Sequence, residues 1–164
     1  MFVGREAELA KLESLYEQRS FQMAVVYGRR RVGKTTLINE FCRGKRTLSF
    51  TALEQSDADN LADFNRAIAS FFNLPTSLGG FSSWTDALSF IADRARTERF
   101  VFVFDEFPYA AMRNEALPSI FQVAIDKAFK ETDAFLILCG SNQGFMESNV
   151  LGRKSPLFGR RTAQ

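Results

Sequence analysis

The stretch Phe21-Gln22-Met23-Ala24-Val25-Val26-Tyr27-Gly28-Arg29-Arg30-Arg31-Val32-Gly33-Lys34-Thr35-Thr36-Leu37-Ile38 decides the fold of this chain. An apolar, β-leaning run from Phe21 to Tyr27 feeds the octapeptide Gly28 to Thr35, and a helix-like stretch follows. The octapeptide has the pattern G-x-x-x-x-G-K-[ST], in which each fixed residue has a physical reason. Glycines at 28 and 33 open backbone conformations closed to other residues, so successive N–H groups can point at one phosphate chain. Lys34 offers an ammonium to β- and γ-phosphates, and the Thr35 hydroxyl suits Mg²⁺. The helix through Thr36 adds its own unpaired N–H groups and positive dipole end. The side chains of Arg29, Arg30 and Arg31 belong to the loop tip, where with Val32 the backbone N–H groups matter more than the guanidinium groups. Strand, loop and helix together read as a nucleoside triphosphate site built from Gly28, Arg29, Arg30, Arg31, Val32, Gly33, Lys34, Thr35 and Thr36.

Working outward, the whole chain suits one compact domain over residues 1–164. Twenty-one Lys and Arg against nineteen Asp and Glu leave +2, too balanced for a surface made to bind nucleic acid all round. No secretory pattern opens the chain and no apolar run reaches membrane-spanning length, so the expectation is a cytoplasmic domain with no membrane partner. Cys42 and Cys139 sit in apolar surroundings far apart in sequence and read as reduced, structural thiols. Histidine is absent. That excludes a catalytic histidine, a His-containing triad and a His-ligated metal, and leaves the chemistry to carboxylates, Lys, Arg, hydroxyls and a bound ion. The eighteen phenylalanines fall mostly at core-like periods and read as packing.

Strand and helix patterns alternate, which argues an α/β domain with a mostly parallel sheet. Leu9, Leu12, Leu15 and Tyr16 mark an amphipathic first helix, and Arg46–Ala52 reads as a second strand. Ser56-x-x-Asp59 caps a helix with Leu61, Phe64, Ile68, Phe71 and Phe72 on one face. Ser83-x-x-Asp86 caps another with Trp84, Leu88, Ile91 and Ala95 inward, Trp84 reading as a packing anchor. Residues 73–80 form a turn-rich surface excursion. Phe100–Phe104 is a continuous apolar run, as expected of a strand covered on both faces. Pro118 sits in the first turn of a further helix, and Ala134–Cys139 is the fourth strand.

The third strand runs into Asp105-Glu106. In open α/β sheets ligands gather at the carboxyl ends of strands, so this pair should emerge beside the phosphate loop. Asp105 is then placed to hold Mg²⁺ through water, and Glu106 to polarise an attacking water. The alternative is an acidic strand end facing solvent. The fourth strand runs into Gly140-Ser141-Asn142. A small polar residue there can bond both the attacking water and a γ-phosphate, or simply cap the helix beginning near Gln143, and both can hold. Arg153, Lys154, Arg160 and Arg161 make a basic edge or supply an arginine that completes a site in cis or in trans.

Phe2-Val3-Gly4-Arg5-Glu6, VVYGRRRVGKTTLI, FVFVFDEFPYA, LILCGSNQGFME and SPLFGRRTAQ, in that order from Phe2 to Gln164, resemble the archaeal-type ATPase family, an AAA-related branch of ASCE-class P-loop ATPases. The resemblance implies a three-layer P-loop NTPase fold with strand order 5-1-4-3-2. It also implies ATP between the loop and the N-terminal segment, with Val3, Gly4 and Arg5 on the adenine side. Lys34 and Thr35 would be phosphate and magnesium residues, Asp105 the second magnesium residue, Glu106 the catalytic base and Ser141 or Asn142 the first sensor. Members of this family usually continue into a helical lid and further C-terminal domains, so the chain is expected to be the nucleotide-binding core of a longer protein, its fifth strand incomplete. ATP over GTP rests on the resemblance, together with the lack of an Asn-Lys-x-Asp pattern.

Three functional readings follow. One is an ATPase core that binds Mg-ATP and hydrolyses it to drive or regulate an attached module. The second is a nucleotide-dependent switch or assembly module with little turnover. The third is a nucleic-acid-associated module, for which the basic tail is the local support. A homo-oligomer, the chain's own C-terminal domains and, through them, nucleic acid stay open as partners.

Overall fold

A computed structural model of the chain describes residues 5–28, 33–75, 77, 79–153, 155 and 157. Its elements, in chain order, are α1 (Glu6–Tyr16), β1 (Gln22–Tyr27), α2 (Lys34–Cys42), β2 (Thr47–Thr51), α3 (Asp57–Phe72) and α4 (Trp84–Ala95). There follow β3 (Val101–Asp105), α5 (Phe107–Arg113), α6 (Leu117–Lys127), a 3-10 turn (Phe129–Glu131), β4 (Phe135–Gly140) and α7 (Gln143–Asn149).

The four strands form one parallel sheet in the order β1-β4-β3-β2. Each pairing joins strands distant in sequence, so helices must cross between them, and those helices cover both faces. Side chains alternate across the sheet with the period of two. Met23 and Val25, Leu48 and Phe50, Phe102 and Phe104, and Leu136 and Leu138 face the core under α3 to α7. Ala24 and Val26, Val101 and Val103, and Phe135, Ile137 and Cys139 face α1 and α2, meeting Leu12, Leu37, Ile38 and Phe41. This is the three-layer arrangement expected, with order 1-4-3-2 among the described strands. The fifth strand of the expected 5-1-4-3-2 order, on the other side of β1, falls outside the described residues, as do Lys154, Arg160 and Arg161.

Local chemistry explains where the helices begin. Ser56 Oγ accepts from Asp59 N and Ser83 Oγ from Asp86 N, both at 3.1 Å, which are the two caps read from the sequence. Trp84 is buried, and its Nε1 donates to Asp57 Oδ1 at 2.9 Å, tying the two capped ends together. The phenylalanines pack as expected: Phe64 lies against Phe50, Phe102, Phe104 and Trp84 at ring separations of 5.0 to 5.9 Å. Each such pair contributes about 0.5–1.5 kcal/mol beyond its buried area. On β2 the pattern is one-sided, with Leu48 and Phe50 buried and Ser49 and Thr51 exposed, as suits the last strand of the sheet.

One helix was not expected. α5 follows β3 with no loop between them, because Glu106 makes the whole turn in a left-handed conformation (φ 54°, ψ 44°). Pro108 in the first turn of α5 is the one local signal for it. Among the described residues no helix is long and apolar enough to cross a membrane.

Candidate functional site

Lys34 is the first residue of α2, and the turn before it depends on Gly33, whose φ of 83° is a left-handed value that a side chain disfavours. Lys34 is buried at 8% exposure, and its side chain reaches the carboxyl end of β3. Its ammonium lies 3.4 Å from Glu106 Oε1 and 3.8 Å from Asp105 Oδ1. Two carboxylates thus face one ammonium at the ends of the strands.

Asp105 ends β3, and its backbone carbonyl accepts from Ala52 N at 3.0 Å, fixing it against the end of β2. Its Oδ1 accepts from Glu106 N at 2.9 Å, which steadies the left-handed turn. Glu106 points back across the sheet to the end of β4. There Ser141 Oγ lies 2.9 Å from Oε1 and 3.0 Å from Oε2. Gly33, Lys34, Thr35, Thr36, Asp105, Glu106 and Ser141 line one cavity of about 250 Å³. Loop, carboxylate pair and strand-four hydroxyl, the first and last more than a hundred residues apart in sequence, therefore share one space.

The other sequence candidates divide. Asn142 does not face Glu106: its Oδ1 accepts from Phe145 N at 3.0 Å and caps α7, so Ser141 alone of the pair meets the carboxylate. Arg5 is half-buried, and its Nε comes within 3.6 Å of where a Cβ on Gly33 would stand. It also lines a second cavity of about 330 Å³ with Leu12, Ala24 to Tyr27 and Leu37, between α1, β1 and α2. Arg153 is exposed and is not among the residues lining the first cavity. Val3, Gly4, Arg29, Arg30, Arg31 and Val32 lie outside the described residues, whereas Gly28 is described and takes φ 150°.

Cys139 backs the site from β4. It is fully buried, and desolvation together with the nearby Asp105 charge pushes its thiol well above the ordinary range. Burial likewise raises Cys42, and both are free thiols, in line with the packing role expected of them. Sequence reasoning missed the supporting residues of this site. Pro108 and Met146 both close on Gly140 beside Glu106 and Ser141; all three fall inside stretches that carry the resemblance, but no local pattern gave them this role.

Residues 2–163 match the model of an ATPase domain predominantly from Archaea. An uncharacterized protein of Methanocaldococcus jannaschii is 35% identical over 162 residues, covering 99% of this chain and 34% of that protein. An uncharacterized ATP-binding protein of the same organism is 46% identical over 46 residues, 28% of this chain and 78% of that protein. Among solved structures, the Walker-type ATPase of Pyrococcus abyssi superposes with a TM-score of 0.64 at 21% identity, covering 96% of this chain and 51% of its own. Cdc6p from Pyrobaculum aerophilum gives the same TM-score at 18% identity, covering 90% and 41% respectively. These two likenesses are of fold. The chain spans about a third of the length of the first of these relatives and about half or less of the two structures.

Proposed function

The chain belongs to the family of ATPase domains found predominantly in Archaea, and on that premise we propose that it binds Mg-ATP and hydrolyses it to ADP and phosphate. The observation that carries the reading is the convergence of Lys34, Asp105, Glu106 and Ser141 on one cavity at the phosphate loop. Electrostatics favours the metal complex over free nucleotide. Among the described residues that line the cavity, one ammonium stands against two carboxylates, and a bare triphosphate would meet that negative charge at close range. Thr35 and Asp105 both line the cavity and are the oxygen donors Mg²⁺ prefers. They would hold the ion, which when bound offsets phosphate charge.

The rest of the mechanism belongs to the chain's own residues. Backbone N–H groups from Gly28 through Arg29, Arg30, Arg31, Val32 and Gly33 to Thr36 cradle the phosphates. Lys34 leaves its carboxylate partners for the β- and γ-phosphate oxygens. Val3, Gly4 and Arg5 line the adenine side, a role supported at Arg5 by its place between Gly33 and the second cavity. Glu106 accepts a proton from water while the water oxygen attacks the γ-phosphorus. The bond from that phosphorus to the β–γ bridging oxygen breaks, and ADP keeps the electron pair. Ser141 holds both oxygens of Glu106 in line for the water. Release of phosphate, or the change of shape that accompanies it, acts on an attached C-terminal module in the cytoplasm. Nucleic acid would be met through that module, and a homo-oligomer would allow an arginine to be supplied in trans.

A second reading, a nucleotide-dependent switch with little turnover, is favoured by one observation. Glu106 is already engaged by Ser141 and Lys34, so the base starts out occupied.

Calorimetric titration of the chain with Mg-ATP, beside Mg-GTP and the Lys34→Ala variant, tests the shared premise. Micromolar ATP affinity, about −8 kcal/mol, lost with Lys34 and weaker for GTP, is expected. A folded chain that takes up no ATP overturns both readings.

A further inference from the structure

The β3–β4 ladder stops at the pair Phe104 and Leu138, so the residues that carry the site lie beyond its last rung. Asp105-Glu106 and Gly140-Ser141 are therefore not held to one another by sheet hydrogen bonds. Yet Ser141 Oγ stands 2.9 and 3.0 Å from the two Glu106 oxygens, a separation that a shift of a few tenths of an ångström would spoil. Something other than the ladder must fix it.

Gly140 shows what does. A Cβ built there would come 2.7 Å from Pro108 Cδ, 2.9 Å from Pro108 Cγ and 2.8 Å from Met146 Sδ. Gly140 does not have a positive φ, so what excludes a side chain is these neighbours and not the backbone. Pro108 is buried and lies two residues after Glu106, its ring rigid against the end of β4. Met146 is fully buried and belongs to α7, whose cap is Asn142, the residue after Ser141. The helix that begins at the carboxylate and the helix that begins at the hydroxyl thus both bear on one bare backbone position, Gly140.

We infer that Pro108, Gly140 and Met146 are positioning residues: their contact sets the Glu106–Ser141 distance and mechanically joins the site to α7. Any separation of Glu106 from Ser141 must move the Pro108 ring, and that ring bears on the same point as Met146. Met146 in turn holds the chain that follows, since its carbonyl accepts from Val150 N at 3.1 Å and Leu151 N at 2.9 Å. Val150 and Leu157 are buried in the same core, so the segment after α7 is tied to the contact as well. α7 is then the element that senses the carboxylate and passes its state toward whatever follows residue 157.

The test compares wild type, Gly140→Ala and the double variant Gly140→Ala/Pro108→Ala, in which loss of the ring makes room for the added methyl. The kinetic arm rests on the ATPase reading. Gly140→Ala is expected to lower kcat on the order of 10²-fold, as misplacement by about an ångström does. KM should stay within about threefold, since phosphate binding is untouched, and the double variant should recover most of kcat. The second arm needs no nucleotide. Amide hydrogen exchange of ligand-free Gly140→Ala should quicken about tenfold in α7 and the first turn of α5 while the strands stay protected, and the double variant should restore it. Unchanged kcat and exchange in Gly140→Ala overturn the inference. So does general loss of protection that the double variant does not repair, because the contact would then serve folding alone. If wild type shows no turnover, the ATPase reading fails by itself and the exchange arm still decides.

Discussion

A single hydroxyl, Ser141 Oγ, sits almost midway between the two carboxylate oxygens of Glu106, 2.9 Å from one and 3.0 Å from the other. The pairing joins the ends of β3 and β4 across a gap the sheet does not bridge. With Lys34 Nζ 3.4 Å from Oε1, it leaves Glu106 oriented by two groups before any substrate arrives.

Replacing Glu106 by Gln keeps the shape and removes the proposed base. Phosphate release should fall by about 10²–10⁴, while Mg-ATP affinity stays or rises. Equal turnover by the two proteins would mean that water is activated elsewhere, and negligible turnover by both would favour the switch.

Ser141→Ala should lower kcat by about 10- to 100-fold, the worth of a hydrogen bond to a charged group. Ser141→Thr keeps the hydroxyl and should retain most activity. Steady-state kinetics of the pair reads this directly. A Thr variant as slow as the Ala variant would assign the effect to crowding.

Mg-ATP at a hundred times its dissociation constant should stabilise the fold by about 2.7 kcal/mol. In a chain of this size that raises Tm by roughly 5–10 °C. The same thermal scan on Lys34→Ala should show no shift, and an equal shift would separate Lys34 from nucleotide binding.

Asn60 is fully buried and grips the backbone of Leu53, accepting from its N at 3.0 Å and donating to its O at 3.1 Å. Asn60→Ala leaves both groups without that partner, at about 1–3 kcal/mol each. Urea unfolding should therefore show a loss of about 2–6 kcal/mol. A change below half a kilocalorie would mean that water replaces the side chain at no cost.

The buried Cys139 thiol gives stability a pH dependence of known sign. Desolvation raises its folded pKa above the ordinary 9.0, so the unfolded chain loses this proton first as pH rises. The contribution is complete below about pH 9 and is lost as pH climbs from there toward the folded value. Urea unfolding between pH 8 and 10.5 should show that decline, flattened in Cys139→Ala. Equal slopes in the two proteins would count against it.

Much of this molecule was legible one segment at a time. The caps at Ser56 and Ser83 depend on a side chain three residues from its partner, and both formed. The run Phe100–Phe104 announced a strand buried on both faces because no polar residue interrupts it. α5 was not legible, since its start rests on Glu106 adopting a left-handed turn that the residue type does not advertise.

The sequence by itself determined the phosphate loop, the alternation of strands and helices and the carboxylate pair, because each is written in neighbouring residues through period, cap or spacing. Only the tertiary structure decided that Ser141 faces Glu106 while Asn142 caps α7. It alone set Lys34 between two carboxylates and closed Pro108 and Met146 over Gly140. Those relations follow from β4 lying between β1 and β3 in a particular register, and register depends on how whole buried faces match. No local pattern encodes that match.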